Sequence, residues 1–285
     1  MFHLSKFGFQ QSCLFFFFLA FLACSNQPPV YADQTSNKVD TISTNNRRVP
    51  TNAALDSIYA IDSNKTYIYL TFDDGPQHGT VNCINICRQE GVKASFFMIG
   101  LHQHMKSDGK QIVATIRNNY PQTLLANHSY NHAMGKYKYF YQHPQMALAD
   151  FLKTQDSLAP APKIIRLPGN NAWVREGKIK ASRLVRPVAR LLDSAGFNVI
   201  GWDMEWNFDH KSARPVQSPE QLAAQVDTLV AHGYTYQPKH LVILTHDRMF
   251  HRSPDSLALV QFIQLVKRNP NYVFETVDHY PGLKK

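Results

Sequence analysis

Two adjacent carboxylates, Asp73 and Asp74, stand where the β-branched and aromatic run Tyr67-Ile68-Tyr69-Leu70-Thr71-Phe72 meets the break Gly75-Pro76. A buried carboxylate has to be hydrogen-bonded, paired with a cation or bound to a metal, so this pair asks for partners. Read alone, the same residues also suit a plain polar turn. His128 and His132 are four residues apart, a spacing that puts both imidazoles on one side of a single helical turn. Two imidazoles and one carboxylate, with room for water, is how catalytic zinc is commonly held, and cobalt or nickel suits the same ligands. Other polar residues close later apolar runs: Arg166, then Asp203 and Glu205, then His246 with Asp247. The His-x-x-x-His spacing is weak by itself and becomes strong beside an Asp-Asp strand end.

The elements that must carry these residues are short apolar runs alternating with amphipathic, helix-length segments, the pattern of βα units around a parallel sheet. Seven strands are expected, at Tyr67–Phe72, Ala94–Ile99, Thr123–Ala126, Ile164–Arg166, Asn198–Trp202, Leu241–Thr245 and Tyr272–Thr276. Helices are expected at Val81–Glu90, Lys110–Asn119, Pro144–Leu158, Leu184–Ala195, Ser218–Ala231 and Ser253–Lys267. Ser218-Pro219-Glu220 and Ser253-Pro254-Asp255 each read as an N-cap, a first-turn proline and an early acid. In a barrel of such units every strand's carboxyl end lies on one face, and every candidate residue above follows a strand. Cys83 and Cys87 share a face of one helix and read as small core residues rather than a metal site.

With these motifs in hand, the chain resembles the polysaccharide deacetylase family of carbohydrate esterases, over about Thr66 to Thr276. Thr71-Phe72-Asp73-Asp74-Gly75-Pro76 matches the first motif, His128-Ser129-Tyr130-Asn131-His132 the second, and Leu244-Thr245-His246-Asp247 looks like the last. The resemblance implies an α/β fold, a distorted (β/α)7 barrel. It implies that Asp74, His128 and His132 hold a divalent metal, that Asp73 is the general base and His246 the general acid, and that Arg166 pairs with Asp73. The activity implied is metal-dependent hydrolysis of N-acetyl groups on an envelope or extracellular polysaccharide, peptidoglycan or another N-acetylhexosamine polymer, with release of acetate. An O-acetyl esterase or a sugar deformylase would use the same residues, and a non-catalytic carbohydrate-binding barrel would keep only the fold.

Two motifs depart from the family pattern. The third reads Arg166-Leu167-Pro168-Gly169-Asn170-Asn171-Ala172-Trp173 and lacks the usual aromatic residue between proline and glycine. Pro168 and Gly169 are therefore expected in an altered substrate groove, with Trp173 as either a replacement wall or a buried core residue. The fourth, Gly201-Trp202-Asp203-Met204-Glu205-Trp206-Asn207-Phe208-Asp209, has acids and a tryptophan in the wrong register. Asp203 and Glu205 are expected to orient His246, ahead of Asp209, and Trp206 and Leu244 to contact substrate.

The chain has 285 residues, enough for one large α/β domain, and a formal charge of +9. Its basic residues are scattered, which argues against nucleic acid and suits an anionic polymer or surface. Lys6 followed by the apolar run Cys13–Cys24 reads as an export signal over residues 1–32, too short for a comfortable membrane span. Phe21-Leu22-Ala23-Cys24 resembles a lipoprotein box that would anchor the chain at Cys24, while Val30-Tyr31-Ala32 resembles a cleavage site that would release it. Residues 33–64 are polar and read as a flexible linker, leaving 65–285 as the catalytic domain. The implied location is the periplasm or cell envelope if anchored, and otherwise outside the cell; the sequence says nothing of oligomeric state.

Overall fold

The computed structural model describes residues 62–160 and 162–284. The expected export signal, the expected anchor or cleavage sites at Cys24 and Ala32, and all but the end of the expected 33–64 linker lie outside the described residues. The strands are β1 (Thr66–Asp73), β2 (Ala94–Met98), β3 (Thr123–Asn127), β4 (Ile164–Ile165), β5 (Trp173–Arg175), β6 (Lys178–Lys180), β7 (Asn198–Val199), β8 (Met204–Glu205), β9 (His240–His246) and β10 (Tyr272–Phe274). The helices are α1 (Thr80–Gln89), α2 (His102–Met105), α3 (Gly109–Asn118), α4 (Tyr137–Gln142), α5 (Pro144–Leu158), α6 (Arg186–Ser194), α7 (Pro219–Ala231) and α8 (Ser253–Lys267). No helix among the described residues is long and apolar enough to cross a membrane.

One sheet runs β6-β5-β7-β4-β3-β2-β1-β9-β8, with β10 also paired to β1. All pairs are parallel except β5 with β6 and β5 with β7. The sheet curls because one segment changes neighbours. Its first part, β7, lies beside β4, and the Ile200 amide still donates to the Ile165 carbonyl; further on, the Asp203 amide donates to Val242 and β8 pairs with β9. This bent segment is what distorts the (β/α)7 barrel. The expected strand Asn198–Trp202 is therefore shortened to β7, β8 follows it as a separate short strand, and the β5–β6 hairpin is an addition that no apolar run announced.

Strand β1 shows how the barrel aims its chemistry. Ile68, Leu70 and Phe72 pack outward with Cys83 and Cys87 of α1 and with α8, while Tyr67 and Tyr69 pack inward. Two-residue alternation then directs Thr71 and Asp73 inward as well. The barrel's lower interior is filled by Tyr69, Trp173, Tyr236 and Tyr280, leaving the polar residues at the upper mouth. Outside, Ser218 caps α7 as expected, its Oγ accepting from the Gln221 amide and its own amide donating to the Gln221 side chain. The α8 start differs: Arg252 precedes it and no side chain caps it, so Ser253 is already helical.

A half-buried ion-pair network lies where β10 ends, against the residue that precedes β2. Lys93 donates to Glu275 at 2.7 Å, and His279 Nδ1 lies 3.3 Å from Glu275 and 3.2 Å from Asp278. Hydrogen bonds to Asp278 and Glu275 push the His279 imidazole up to about 9. Its folded value thus exceeds the unfolded value of about 6.5, so the stability it contributes is complete below pH 6.5 and lost as pH rises through about 9. The melting-temperature advantage of wild type over His279→Gln is expected to be largest near about pH 6 and gone by about pH 10. An advantage that stays constant over that range would remove the ion pair as its cause.

Candidate active site

Asp73 ends β1 facing into the barrel mouth and is 2% exposed. Arg166, wholly buried just after β4, fixes it. The guanidinium donates to Asp73 Oδ1 at 2.9 Å, to Thr71 Oγ1 at 2.5 Å, and to the Ile200 and Gly201 carbonyls at 3.2 and 2.9 Å. Its plane lies over the Phe97 ring, 4.3 Å from the centroid. Every side of this buried cation is therefore met by an acceptor or a π face.

Asp74, the next residue, leaves the strand with φ 76° and turns its carboxylate toward the histidines. Its Oδ1 lies 3.1 Å from His132 Nε2 and 3.4 Å from His128 Nε2. The two imidazoles do not come from a helical turn, which corrects the spacing argument. Residues 128–132 form an irregular loop in which Ser129 and His132 have positive φ. Side chains hold it: Asn127 Oδ1 accepts from the Ser129 amide, Ser129 Oγ from the His132 amide, and Asp150 Oδ1 from the Tyr130 amide. The result brings the two rings to a centroid distance of 5.1 Å.

Asp74, His128 and His132 each present a ligand atom within 4.8 Å of the others. Asp74 Oδ1 is buried and, among the described residues, makes no hydrogen bond, so its lone pairs and the two imidazole nitrogens converge on one point. Burial opposes its ionisation, yet the adjacent His128 and His132 hold the Asp74 pKa well below the usual carboxylate range. His128 donates its Nδ1–H to the Arg166 carbonyl at 3.0 Å, which leaves Nε2 for an ion. The donor set fits a divalent cation of the zinc type.

These residues line a cleft of about 530 Å³ with Gln77, Ile99, His102, Tyr137, Leu167, Gly169, Trp202, Glu205, Phe208, His210, Leu244, His246 and Arg248. His246, at the end of β9, has Nε2 3.9 Å from Asp74 Oδ2, and its ring packs edge-on against Phe208. Burial lowers the pKa of His246. Among the described residues its buried Nδ1 has no hydrogen-bond partner, so no carboxylate of these orients it. Asp203 instead accepts from the Tyr236 and Val242 amides at 2.6 and 2.8 Å, pinning a loop away from the cleft. Asp209 accepts from Ser212 in an exposed turn. Glu205 does line the cleft, and burial followed by the charge of Asp73 raises its pKa.

Of the expected substrate contacts, Gly169 and Leu244 line the cleft and Pro168, Trp173 and Trp206 do not. Pro168 is buried and its carbonyl accepts from Tyr141 Oη. Trp206 follows Met204 onto the outer face of β8, against Phe250 and Phe262, with Nε1 donating to the Gln217 carbonyl. Alternation along β8 leaves Glu205 facing the cleft, and the tryptophan that reaches it is Trp202. Trp173 sits on β5, 1% exposed, stacked on Tyr236 at 4.5 Å. Trp173→Leu is expected to cost about 1–3 kcal/mol of stability and to leave KM for glycan oligomers within about twofold. A large rise in KM at unchanged stability would return Trp173 to the groove.

Sequence reasoning missed His102 and Tyr137. His102 Nδ1–H donates to the Asp74 carbonyl at 2.7 Å, bracing the left-handed residue, and Tyr137 Oη lies 3.2 Å from His132 Nδ1. The run Lys136-Tyr137-Lys138-Tyr139-Phe140-Tyr141 contains three tyrosines, and nothing in the run marks which one turns inward.

A curled parallel sheet gathers one carboxylate, two imidazoles, a clamped second carboxylate and a further histidine at its mouth, which makes this a barrel with a candidate metal site. The model of the family described as polysaccharide deacetylase matches residues 60–172. A peptidoglycan-N-acetylglucosamine deacetylase of Bacillus cereus is 29% identical, over 75% of this chain and 71% of its own. A chitin disaccharide deacetylase of Vibrio alginolyticus is 23% identical, over 78% and 73%. The solved catalytic domain of peptidoglycan N-acetylglucosamine deacetylase from Eubacterium rectale shares the fold, with a TM-score of 0.56, 22% identity, and coverage of 79% of this chain and 94% of that one. Over residues 60–172 the chain matches the polysaccharide deacetylase family, and the curated relatives it resembles are deacetylases, which makes it an enzyme of that hydrolase class.

Proposed function

We propose that this enzyme is a metal-dependent N-deacetylase of an envelope or extracellular glycan built from N-acetylhexosamine units, peptidoglycan foremost. The observation that carries the reading is the cluster of Asp74, His128 and His132 with Arg166-clamped Asp73 beside it and His246 across the cleft. A divalent ion held there, zinc by its donor set with cobalt or nickel as substitutes, would polarise an acyl carbonyl and acidify water. Arg166 occupies Asp73 Oδ1 and leaves Oδ2 toward His128, 3.6 Å away, where it can take a proton from the attacking water. His246 supplies a proton to the nitrogen as the carbon–nitrogen bond breaks, so water is consumed and acetate and a free amine leave. Leu244 and Trp202 give the cleft an apolar wall for an acetyl methyl group.

The names of the relatives, which specify N-acetylglucosamine and chitin substrates, support the sugar class. The export signal expected at residues 1–32, with a lipid anchor at Cys24 or cleavage near Ala32, supports an envelope or extracellular location, and the charge of +9 suits an anionic polymer. The test is release of acetate, and of formate, from N-acetylglucosamine oligomers, peptidoglycan and acetylated xylan by zinc-loaded protein. Acetate from an N-acetylated member is the expected result. Release from xylan alone would make it an O-acetyl esterase, formate a deformylase, and metal binding with no turnover a binding barrel.

A further inference from the structure

Tyr137 opens α4, and its half-buried ring fits between two parts of the site. One edge meets the His132 imidazole, with centroids 5.6 Å apart and planes at 84°. Gly169, at φ +62°, makes room for the ring: a Cβ there would lie 3.3 Å from Tyr137 Cε1 and Cζ. The Oη atom lies 3.2 Å from His132 Nδ1, and the ring lines the cleft.

We infer that Tyr137 both fixes His132 as a ligand and donates its own hydroxyl hydrogen to an oxygen of the sugar being processed. The inference rests on the glycan deacetylase reading. His132 Nε2 faces Asp74 Oδ1, so an ion between them takes the Nε2 lone pair and a neutral ring carries its proton on Nδ1. That proton is donated to Tyr137 Oη, so the phenol hydrogen cannot point back at the imidazole. His132 is the one hydrogen-bond partner of Oη among the described residues, so this hydrogen is left for the cleft. His128 differs: its Nδ1–H goes to the Arg166 carbonyl, which has no hydrogen to pass on. Because Nδ1 lies across the imidazole from Nε2, Oη stands beyond the ring from the reacting centre. It therefore reaches a sugar hydroxyl or ring oxygen rather than the acyl carbonyl.

Tyr137→Phe keeps the ring on Gly169 and removes only Oη, so two readouts separate the roles. Zinc affinity of the full chain, measured by competition with a chromogenic chelator, is expected to fall about 10-fold or more. At saturating zinc, KM for N-acetylglucosamine tetramer is expected to rise about 3- to 10-fold, a larger loss in kcat/KM than the same variant shows on 4-nitrophenyl acetate. Zinc affinity within twofold of wild type overturns the hold on His132. Equal KM values, or equal losses on the ester and the tetramer, overturn the sugar contact. If wild type neither binds nor turns over any glycan, the function reading fails instead, and the zinc measurement still decides the hold on His132.

Discussion

Asp73→Asn is expected to lower kcat for acetate release by about 100- to 10,000-fold while metal content stays at the wild-type level. Asparagine keeps the shape and its carbonyl oxygen still accepts from Arg166, but it cannot take a proton from water. The neighbouring change separates the two carboxylates. Asp74→Asn removes the anionic member of the Asp74–His128–His132 cluster and is expected to lose the ion and activity together. Metal analysis of the dialysed proteins beside single-turnover acetate release tells these apart. If Asp73→Asn also loses its metal, or keeps activity within tenfold, Asp73 is not the base.

Arg166→Met is expected to destabilise the fold by about 3–5 kcal/mol, because it leaves a buried carboxylate without its cation. Arg166 is 0% exposed, and its removal also strands Thr71 and the Ile200 and Gly201 carbonyls, which join β1 to the bent segment between β7 and β8. Urea unfolding measures the loss. The double change Arg166→Met with Asp73→Asn is expected to be less destabilised than the sum of the single changes, since the uncompensated charge is gone. A loss below about 1 kcal/mol for Arg166→Met would mean that water reaches Asp73 and replaces the guanidinium.

The residues with chemistry in their side chains were legible in the chain. Asp73, Asp74, His128, His132, Arg166 and His246 follow apolar runs, and the parallel sheet brings all of them to one mouth. Trp206 was not legible as core, and for Trp173 the sequence left groove and core open. Trp173 is buried through the β5–β6 hairpin, whose three-residue strands carry no periodic signal and exist because β5 finds β7. Trp206 is turned outward by the pleat of β8, a two-residue strand set by its pairing with β9. Nearness in sequence offers Asp203, Glu205 and Asp209 as partners for His246. The bend between β7 and β8 sends Asp203 to backbone amides instead.

By itself, then, the sequence determined the βα alternation, the side of the barrel that carries the chemistry, and the types of atom available there. Those depend on local pattern and on side-chain identity, which are written along the chain. Only the tertiary structure decided which tyrosine leans on His132, that a loop rather than a helix pairs the imidazoles, and that Gly169 is small to admit the Tyr137 ring. The contact of Gly169 with Tyr137 joins segments remote in sequence, and the short step from His132 to Tyr137 follows a loop of positive-φ residues pinned by Asn127 and Asp150, a path that no spacing rule supplies.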